Sequence, residues 1–207
     1  MNRFATILAV IMLAVSFDAP MQIETANDMS AALEAEAIEM FGEVFMQNVP
    51  EARALADKIR ASFPQNRLGE TILPDFFGGL YINDDGILVV QTTTSDAMNR
   101  SAAEAQLFAD IEGFNFILET VTFSERELRY IMDRITDFLR ASTLDCEIAY
   151  SARFIYQDTP NNRVVVTLII YNEEIITQFR NTVLDSPALY FRLNPGRPGF
   201  IHPPLIC

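Results

Sequence analysis

Residues 77–90 read FGGLYINDDGILVV. Two short runs of aliphatic, aromatic and β-branched residues flank the Asp-Gly pair at residues 85–86. This pattern is typical of a β-hairpin, because glycine supplies the positive φ that a tight turn requires. The acidic turn lacks the alternating oxygen ligands and the later glutamate of a calcium loop, so we interpret it as an ordinary turn. The hairpin sets the pattern for the rest of the chain.

The hairpin opens a ββαβ unit that we predict over residues 76–123. The sequence from Ser101 to Glu104 has the spacing of a capping box, which predicts the start of a helix. Gly113 predicts the end of that helix, as glycine commonly does. Residues 114–123, FNFILETVTF, are predicted as a strand. The unit thus combines a hairpin, one helix and one further strand.

The same order of elements returns over residues 142–193. Strands are predicted at residues 147–156 and 163–171, with a polar turn between them, and at residues 188–193. Asn172 predicts the start of the intervening helix, since two glutamates follow it in the first turn, where carboxylates favour the helix dipole. The order of elements therefore indicates a duplication.

A long helix is predicted to bridge the two units over residues 124–141. The sequence from Ser124 to Glu127 is a second capping box. Apolar residues recur downstream at helical spacing and predict one buried stripe. These residues are Leu128, Ile131, Met132, Ile135, Phe138 and Leu139.

Residues 17–75 are predicted as a helical N-terminal segment. The first helix is predicted from Ser30 to Phe45, and the second from Pro50, which suits a first helical turn, to about Ala61. In the first helix, five apolar residues recur at helical spacing: Leu33, Ala37, Met40, Phe41 and Val44. In the second helix, Leu55 and Ile59 are predicted to face inward. The predicted fold class is therefore α+β, with an N-terminal helical pair, then two ββαβ units joined by a long amphipathic helix. Residues 194–207 are predicted as a proline-rich tail.

The first 16 residues read MNRFATILAVIMLAVS and have the pattern of a signal peptide. Arg3 supplies a basic start, an uncharged run follows, and Ala14 and Ser16 are small residues at the spacing that signal peptidase requires. The run is shorter than the roughly 20 apolar residues of a membrane span. We expect cleavage after Ser16, a secreted or cell-envelope protein, and no membrane attachment after cleavage. An uncleaved anchor or a buried helix is the alternative.

The composition disfavours several classes of partner and chemistry. The chain has 15 basic and 28 acidic residues, which disfavours binding to nucleic acid or to an anionic membrane surface. One histidine, His202, and two cysteines exclude a zinc site built from these residue types alone. No nucleophile elbow, phosphate loop or dinucleotide fingerprint occurs. We therefore expect neither a cofactor nor enzymatic activity, and acid–base catalysis by paired carboxylates is the less favoured alternative.

The two cysteines are Cys146 and Cys207. In an oxidising compartment they can form a disulfide. Because Cys207 is the last residue of the sequence, an intermolecular bridge or a free thiol stays open as well.

Residues 77–90 resemble the hairpin of the N-terminal pro-domains of streptogrisin-type and alpha-lytic-type serine proteases and of related secreted bacterial proteins. Three further stretches are similar and follow in the same order, at residues 122–128, 161–166 and 172–188. Together these stretches span about residues 76–193. The resemblance implies a non-catalytic protein that assists the folding of a serine protease and then inhibits it.

In that family the pro-domain acts by β-strand addition and leaves its C-terminal segment in the cleft of the protease. Strand addition needs no catalytic group, because main-chain hydrogen bonds supply the affinity. The resemblance places partner binding on the final strand, at Leu189, Tyr190, Phe191, Arg192 and Leu193. The four prolines of the tail cannot donate ladder hydrogen bonds, which disfavours binding of the tail in a cleft.

No protease sequence follows the pro-domain-like region, so we expect the chain to bind a secreted serine protease in trans, as an inhibitor or folding assistant. The alternative is a secreted binding or structural module that kept the pro-domain fold without a protease partner.

We predict that the exported protein begins at Phe17. Signal peptidase cleaves after a small residue that follows an apolar run, and Ser16 occupies that position. N-terminal sequencing of protein recovered from the culture medium or cell envelope measures the start. A membrane-bound product that still begins at Met1 would contradict the prediction.

Overall fold

A computed structural model describes residues 33, 35–94, 100–142 and 146–194. The chain divides into two compact units, Met1–Met46 and Gln47–Cys207. The predicted signal peptide lies outside the described residues, and so does the tail from residue 195 onward, including His202 and Cys207.

Two consecutive helices occupy the start of the described chain. Residues 35–41 are helical, and α1 spans Glu43–Ser62. Gly42 separates them with a φ of 88°, a conformation that glycine adopts without a steric penalty. The predicted helix start at Pro50 is wrong, because Pro50 lies inside α1 and the positive φ at Gly42 makes the break.

Leu55 and Ile59 are buried, as predicted, whereas the apolar residues at helical spacing in the first helix are not. Leu33, Met40 and Val44 are exposed, while Ala37 and Phe41 are half-buried. Helical spacing of apolar residues reports which side chains share a face, and it does not establish that the face is covered.

The first ββαβ unit has the predicted order of elements. It consists of β1 (Phe77–Ile82), β2 (Leu88–Thr92), α2 (Ala102–Asp110) and β3 (Phe116–Thr120). Strand β2 is central, antiparallel to β1 and parallel to β3. Helices α1 and α2 contribute to one core with this sheet, which contains Leu55, Ile59, Phe77, Leu88, Val90, Leu107 and Ile111.

The predicted capping box of α2 is only half formed. The Ser101 hydroxyl accepts a hydrogen bond from the Glu104 backbone N–H. The Glu104 carboxylate is fully buried and instead accepts a 2.6 Å hydrogen bond from the Thr92 hydroxyl. The glutamate therefore links α2 to the central strand rather than to its own N-cap.

The second unit repeats this topology. It consists of α4 (Glu147–Ser151), β4 (Ala152–Asp158), a 3₁₀ turn (Thr159–Asn161), β5 (Arg163–Leu168), α5 (Glu173–Thr182) and β6 (Leu189–Leu193). Strand β5 is central, antiparallel to β4 and parallel to β6. The Asn172 side chain caps α5, as predicted, by accepting from the Ile175 N–H.

The predicted strand over residues 147–156 is wrong in its first half, where the chain forms α4. The partner strand β5 ends at Leu168, which lies opposite Ala152, so residues before Ala152 have no strand beside them. Ser151, the last residue of α4, links this helix to the chain after β5, because its hydroxyl donates to the Ile170 carbonyl and accepts from the Ile170 N–H.

The duplication extends to the strand register. Each hairpin has a register shift at its entry, between Phe77 and Gly79 in the first unit and between Ala152 and Phe154 in the second. When the two sheets are aligned on these register shifts, the last residues of β3 align with the last residues of β6. Glu119 is therefore equivalent to Arg192, and Thr120 to Leu193.

The bridging helix, α3 (Glu125–Ala141), follows the complete capping box predicted at Ser124 and Glu127. Leu128, Ile131 and Ile135 are buried, as the predicted stripe requires. They share a core with the second sheet and α5, whose other members include Ile148, Val164, Val166, Leu168, Ile175, Phe179 and Phe191.

Asn162 joins the two ββαβ units. It has a φ of 47°, a left-handed conformation that asparagine tolerates better than most residues. Its side-chain oxygen accepts from the N–H groups of Thr122 (3.1 Å) and Phe123 (2.8 Å), and its amide donates to the Phe123 carbonyl (2.8 Å). One side chain of the second hairpin thus satisfies the backbone that leaves the first unit.

Asn162→Ala is expected to lower the free energy of unfolding by about 2–3 kcal/mol, because it leaves backbone groups unpaired and places alanine at a positive φ. Asn162→Gly removes the strain but not the lost bonds, so its loss is expected to be smaller. Urea unfolding measures both. The control is Asn161→Ala, at an exposed neighbour whose amide contacts Asp158, with an expected loss below about 1 kcal/mol. Equal losses for Asn161→Ala and Asn162→Ala would contradict this role.

Candidate partner-binding edge

Strand β6 is an edge of the second sheet, so one side of its backbone faces away from β5. The Ala188 carbonyl accepts from the Val164 N–H at 2.9 Å, and the Asn194 N–H donates to the Leu168 carbonyl at 2.7 Å. Backbone groups of successive strand residues alternate between the two sides. The intervening residues, Leu189, Phe191 and Leu193, therefore direct backbone groups away from β5.

Two of these three residues present both backbone groups at the outer edge. The Leu189 N–H already donates to the Ser186 carbonyl at 3.1 Å, so Leu189 presents its carbonyl alone. Phe191 and Leu193 each present an N–H and a carbonyl. Within the described residues, no strand pairs with this edge. The edge thus offers a row of donors and acceptors that an added strand requires.

The inner side of β6 is fixed by the core. Leu189 and Phe191 are buried, and the Phe191 ring meets the Phe179 ring of α5 edge to face at 5.2 Å between centroids. Leu193, near the end of the strand, is 54% exposed. The edge is therefore presented by a rigid strand with one apolar side chain left uncovered.

The outer face of the second sheet carries alternating arginine and aromatic side chains. The Arg163 guanidinium lies 3.8 Å from the centroid of the Tyr190 ring, and the Arg192 guanidinium lies 5.4 Å from that of Tyr156. Phe154 is 61% exposed and lies in the same row as Arg192. We call these five residues the aromatic–arginine face.

The sequence prediction named Tyr190 and Arg192 but missed the other three members of this face. The period-2 alternation of Phe154 and Tyr156 indicates that they share a face once the strand is placed at Ala152. The sequence prediction started this strand at residue 147 instead of Ala152, so the pattern was not recognised. The stacking of Arg163 on Tyr190 joins neighbouring strands, and no local pattern predicts it.

The equivalent face of the first sheet makes hydrogen bonds within the chain. Gln91 donates to the Glu119 carboxylate at 2.9 Å and to the Thr159 carbonyl at 3.0 Å, which ties the first sheet to the second hairpin. The Tyr81 hydroxyl also donates to Glu119, at 3.4 Å. Burial raises the pKa of Tyr81, and the negative charge and hydrogen bonding of Glu119 raise it further, so the hydroxyl stays protonated and able to donate.

The described residues contain no group of three or more histidine, cysteine, aspartate or glutamate side chains arranged to hold a metal ion. Within the same part of the chain, none of the helices combines the length and apolar character needed to cross a bilayer.

Cys146 is half-buried at the N-cap of α4 and forms no disulfide with another described residue. Its predicted partner, Cys207, lies outside the described residues. The disulfide between them stays a prediction.

Two family models match the chain in succession. The Pro-like N-terminal domain matches residues 42–121, and the Pro-like C-terminal domain matches residues 126–193. No curated protein matches the sequence. The four residues between the two matches include Thr122 and Phe123, the backbone that Asn162 binds. The chain is therefore a pro-domain-like protein, and it belongs to the family in which a Pro-like N-terminal domain precedes a Pro-like C-terminal domain.

Proposed function

We propose that this pro-domain-like chain is exported and binds a secreted serine protease in trans, as an inhibitor or folding assistant, without catalysis of its own. The partner adds a strand to the outer edge of β6. Membership in the Pro-like family supports the class of function, and the outward backbone groups of Leu189, Phe191 and Leu193 carry the binding mode.

Strand addition suits this edge for two physical reasons. Main-chain hydrogen bonds supply affinity independently of side-chain chemistry, so no reactive group is needed. The strand is also held in place before binding, by the ladder with β5 and the contact between Phe179 and Phe191, which reduces the entropy lost on association.

Strand β3, an edge of the first sheet, provides an internal comparison. The Val121 N–H donates to the Thr92 carbonyl at 2.9 Å, as the Asn194 N–H does to Leu168. Thr120 and Leu193 are therefore equivalent, and each directs its own N–H away from the central strand. Only β6 is the proposed binding strand. Comparing the same substitution at Leu193 and at Thr120 therefore distinguishes a loss of partner binding from a general effect of disrupting an edge strand.

Leu193→Pro is expected to weaken inhibition of a susceptible protease by about tenfold, because it removes an outward donor and its ring obstructs the added strand while the ladder to β5 is retained. Thr120→Pro makes the same change on β3 and is expected to leave inhibition unchanged. The measurement is the inhibition constant against a panel of secreted trypsin-like and chymotrypsin-like proteases, with the refolding yield of each denatured protease in parallel. Circular dichroism checks that both variants fold.

The proposal fails if micromolar wild-type chain neither slows any protease of the panel nor raises a refolding yield. That result, together with recovery of a non-protease partner from the culture medium or cell envelope, favours the alternative of a binding or structural module. Equal inhibition by wild type and a folded Leu193→Pro variant would remove β6 from the mechanism.

A further inference from the structure

The aromatic–arginine face borders the β6 edge, so side chains of an added strand lie directly beside it. In a sheet, every second side chain projects from the same face, and laterally neighbouring side chains contact one another. A strand paired with the outer edge of β6 therefore places alternate side chains beside Tyr190 and Arg192. The chemistry of these two residues decides which side chains are accepted there.

Among the described residues, Arg192 is the arginine of this face that has no carboxylate partner. Arg163 is paired with Asp158, with 2.9 Å between Nε and the carboxylate oxygen. No carboxylate lies within ion-pair distance of Arg192 in the described chain, and its side chain is exposed. An arginine without a carboxylate partner at the binding edge favours a negatively charged side chain directly beside it.

The position of Arg192 leaves it able to bind a carboxylate. Its guanidinium carbon lies over the Tyr156 ring, 5.4 Å from the ring centroid, which is within the range of cation–π attraction. This attraction favours one position of the side chain and uses none of the guanidinium N–H donors. A carboxylate can accept two parallel hydrogen bonds from such a group.

The duplicated fold supplies an internal comparison for this position. The equivalent residue of the first sheet, Glu119, has its charge engaged by Gln91 and Tyr81. Glu119 thus serves the joint between the units, whereas Arg192 has no such hydrogen-bonding partner among the described residues. Of two equivalent positions, the one on the proposed binding strand is left uncompensated.

We propose that the aromatic–arginine face selects a partner strand with an acidic side chain beside Arg192, and that Arg192 is the specificity-determining residue. This inference rests on the proposed strand addition at β6 and specifies the chemistry of the partner. The accepted segment is extended, with apolar side chains toward Leu193 and an aspartate or glutamate toward Arg192.

The test is selection of a random heptapeptide phage library against the mature chain, Arg192→Glu and Arg153→Glu in parallel. Arg153→Glu makes the same charge change on β4, at the opposite edge of the sheet. Peptides selected by wild type and Arg153→Glu are expected to be enriched in aspartate and glutamate. Peptides selected by Arg192→Glu are expected to be enriched in lysine and arginine.

A synthetic peptide from the wild-type selection then gives the energy of the contact by fluorescence anisotropy. Replacing its acidic residue with the neutral amide is expected to weaken binding to wild type by about threefold, the size of an exposed cross-strand ion pair. The same replacement is expected to have no effect on Arg192→Ala. Leu193→Pro is expected to weaken binding of both peptides by about tenfold, because it removes the same outward donor as in the protease experiment.

Three outcomes overturn the inference: no peptide selected, no charge bias, or a bias that survives Arg192→Glu in folded protein. Its failure is distinguishable from failure of the proposed function. Equal protease inhibition by wild type and Arg192→Glu leaves strand addition intact and removes Arg192 from specificity. The chain can instead select acidic peptides through Arg192 while it neither inhibits any protease nor assists its folding. That result supports the role of the aromatic–arginine face and contradicts the proposed protease function.

Discussion

The contact between the second hairpin and the end of the first unit is the constraint on which the architecture depends. Asn162 satisfies the backbone of Thr122 and Phe123, and Gln91 reaches from the first sheet to the Thr159 carbonyl. The close approach requires glycine, because a Cβ at Gly79 would lie 2.8 Å from the Thr159 methyl group. Each small sheet has its own core, and this joint connects the two ββαβ units, both of which lie within the compact unit Gln47–Cys207.

The joint also explains why two nearly identical sheets can serve different purposes. Polar groups at the end of the first sheet hydrogen-bond at the contact with the second hairpin: Gln91 donates to the Thr159 carbonyl and to the Glu119 carboxylate. The equivalent end of the second sheet has no third unit to hold within the described chain. Among the described residues, neither Arg192 nor the outer edge of β6 is used to join the two ββαβ units, while the core of the second sheet holds β6 in place.

The sequence predicts the order of elements better than it predicts their limits. Capping boxes, the Asp-Gly turn and the apolar stripe of α3 depend on residues that are close in sequence, so they can be recognised before the fold is known. The structure confirms the two ββαβ units. The boundary at Ala152 is set instead by where β5 ends, which is a property of the partner strand. The sequence pattern predicts the final strand, and the family resemblance marks it as the candidate edge, but the contact of Arg163 with the Tyr190 ring arises only from the assembled sheet.

A protein that acts through an exposed strand must keep that edge from pairing indiscriminately. Unprotected edges recruit other strands, and charged side chains beside them are a common defence. Arg192 can serve this purpose, because a second copy pairing antiparallel at β6 brings arginines of both copies to the same face, and their repulsion disfavours the dimer. The same charge attracts an acidic partner. In the proposed mechanism, the backbone of β6 supplies affinity through strand addition, and the Arg192 side chain supplies discrimination between partners.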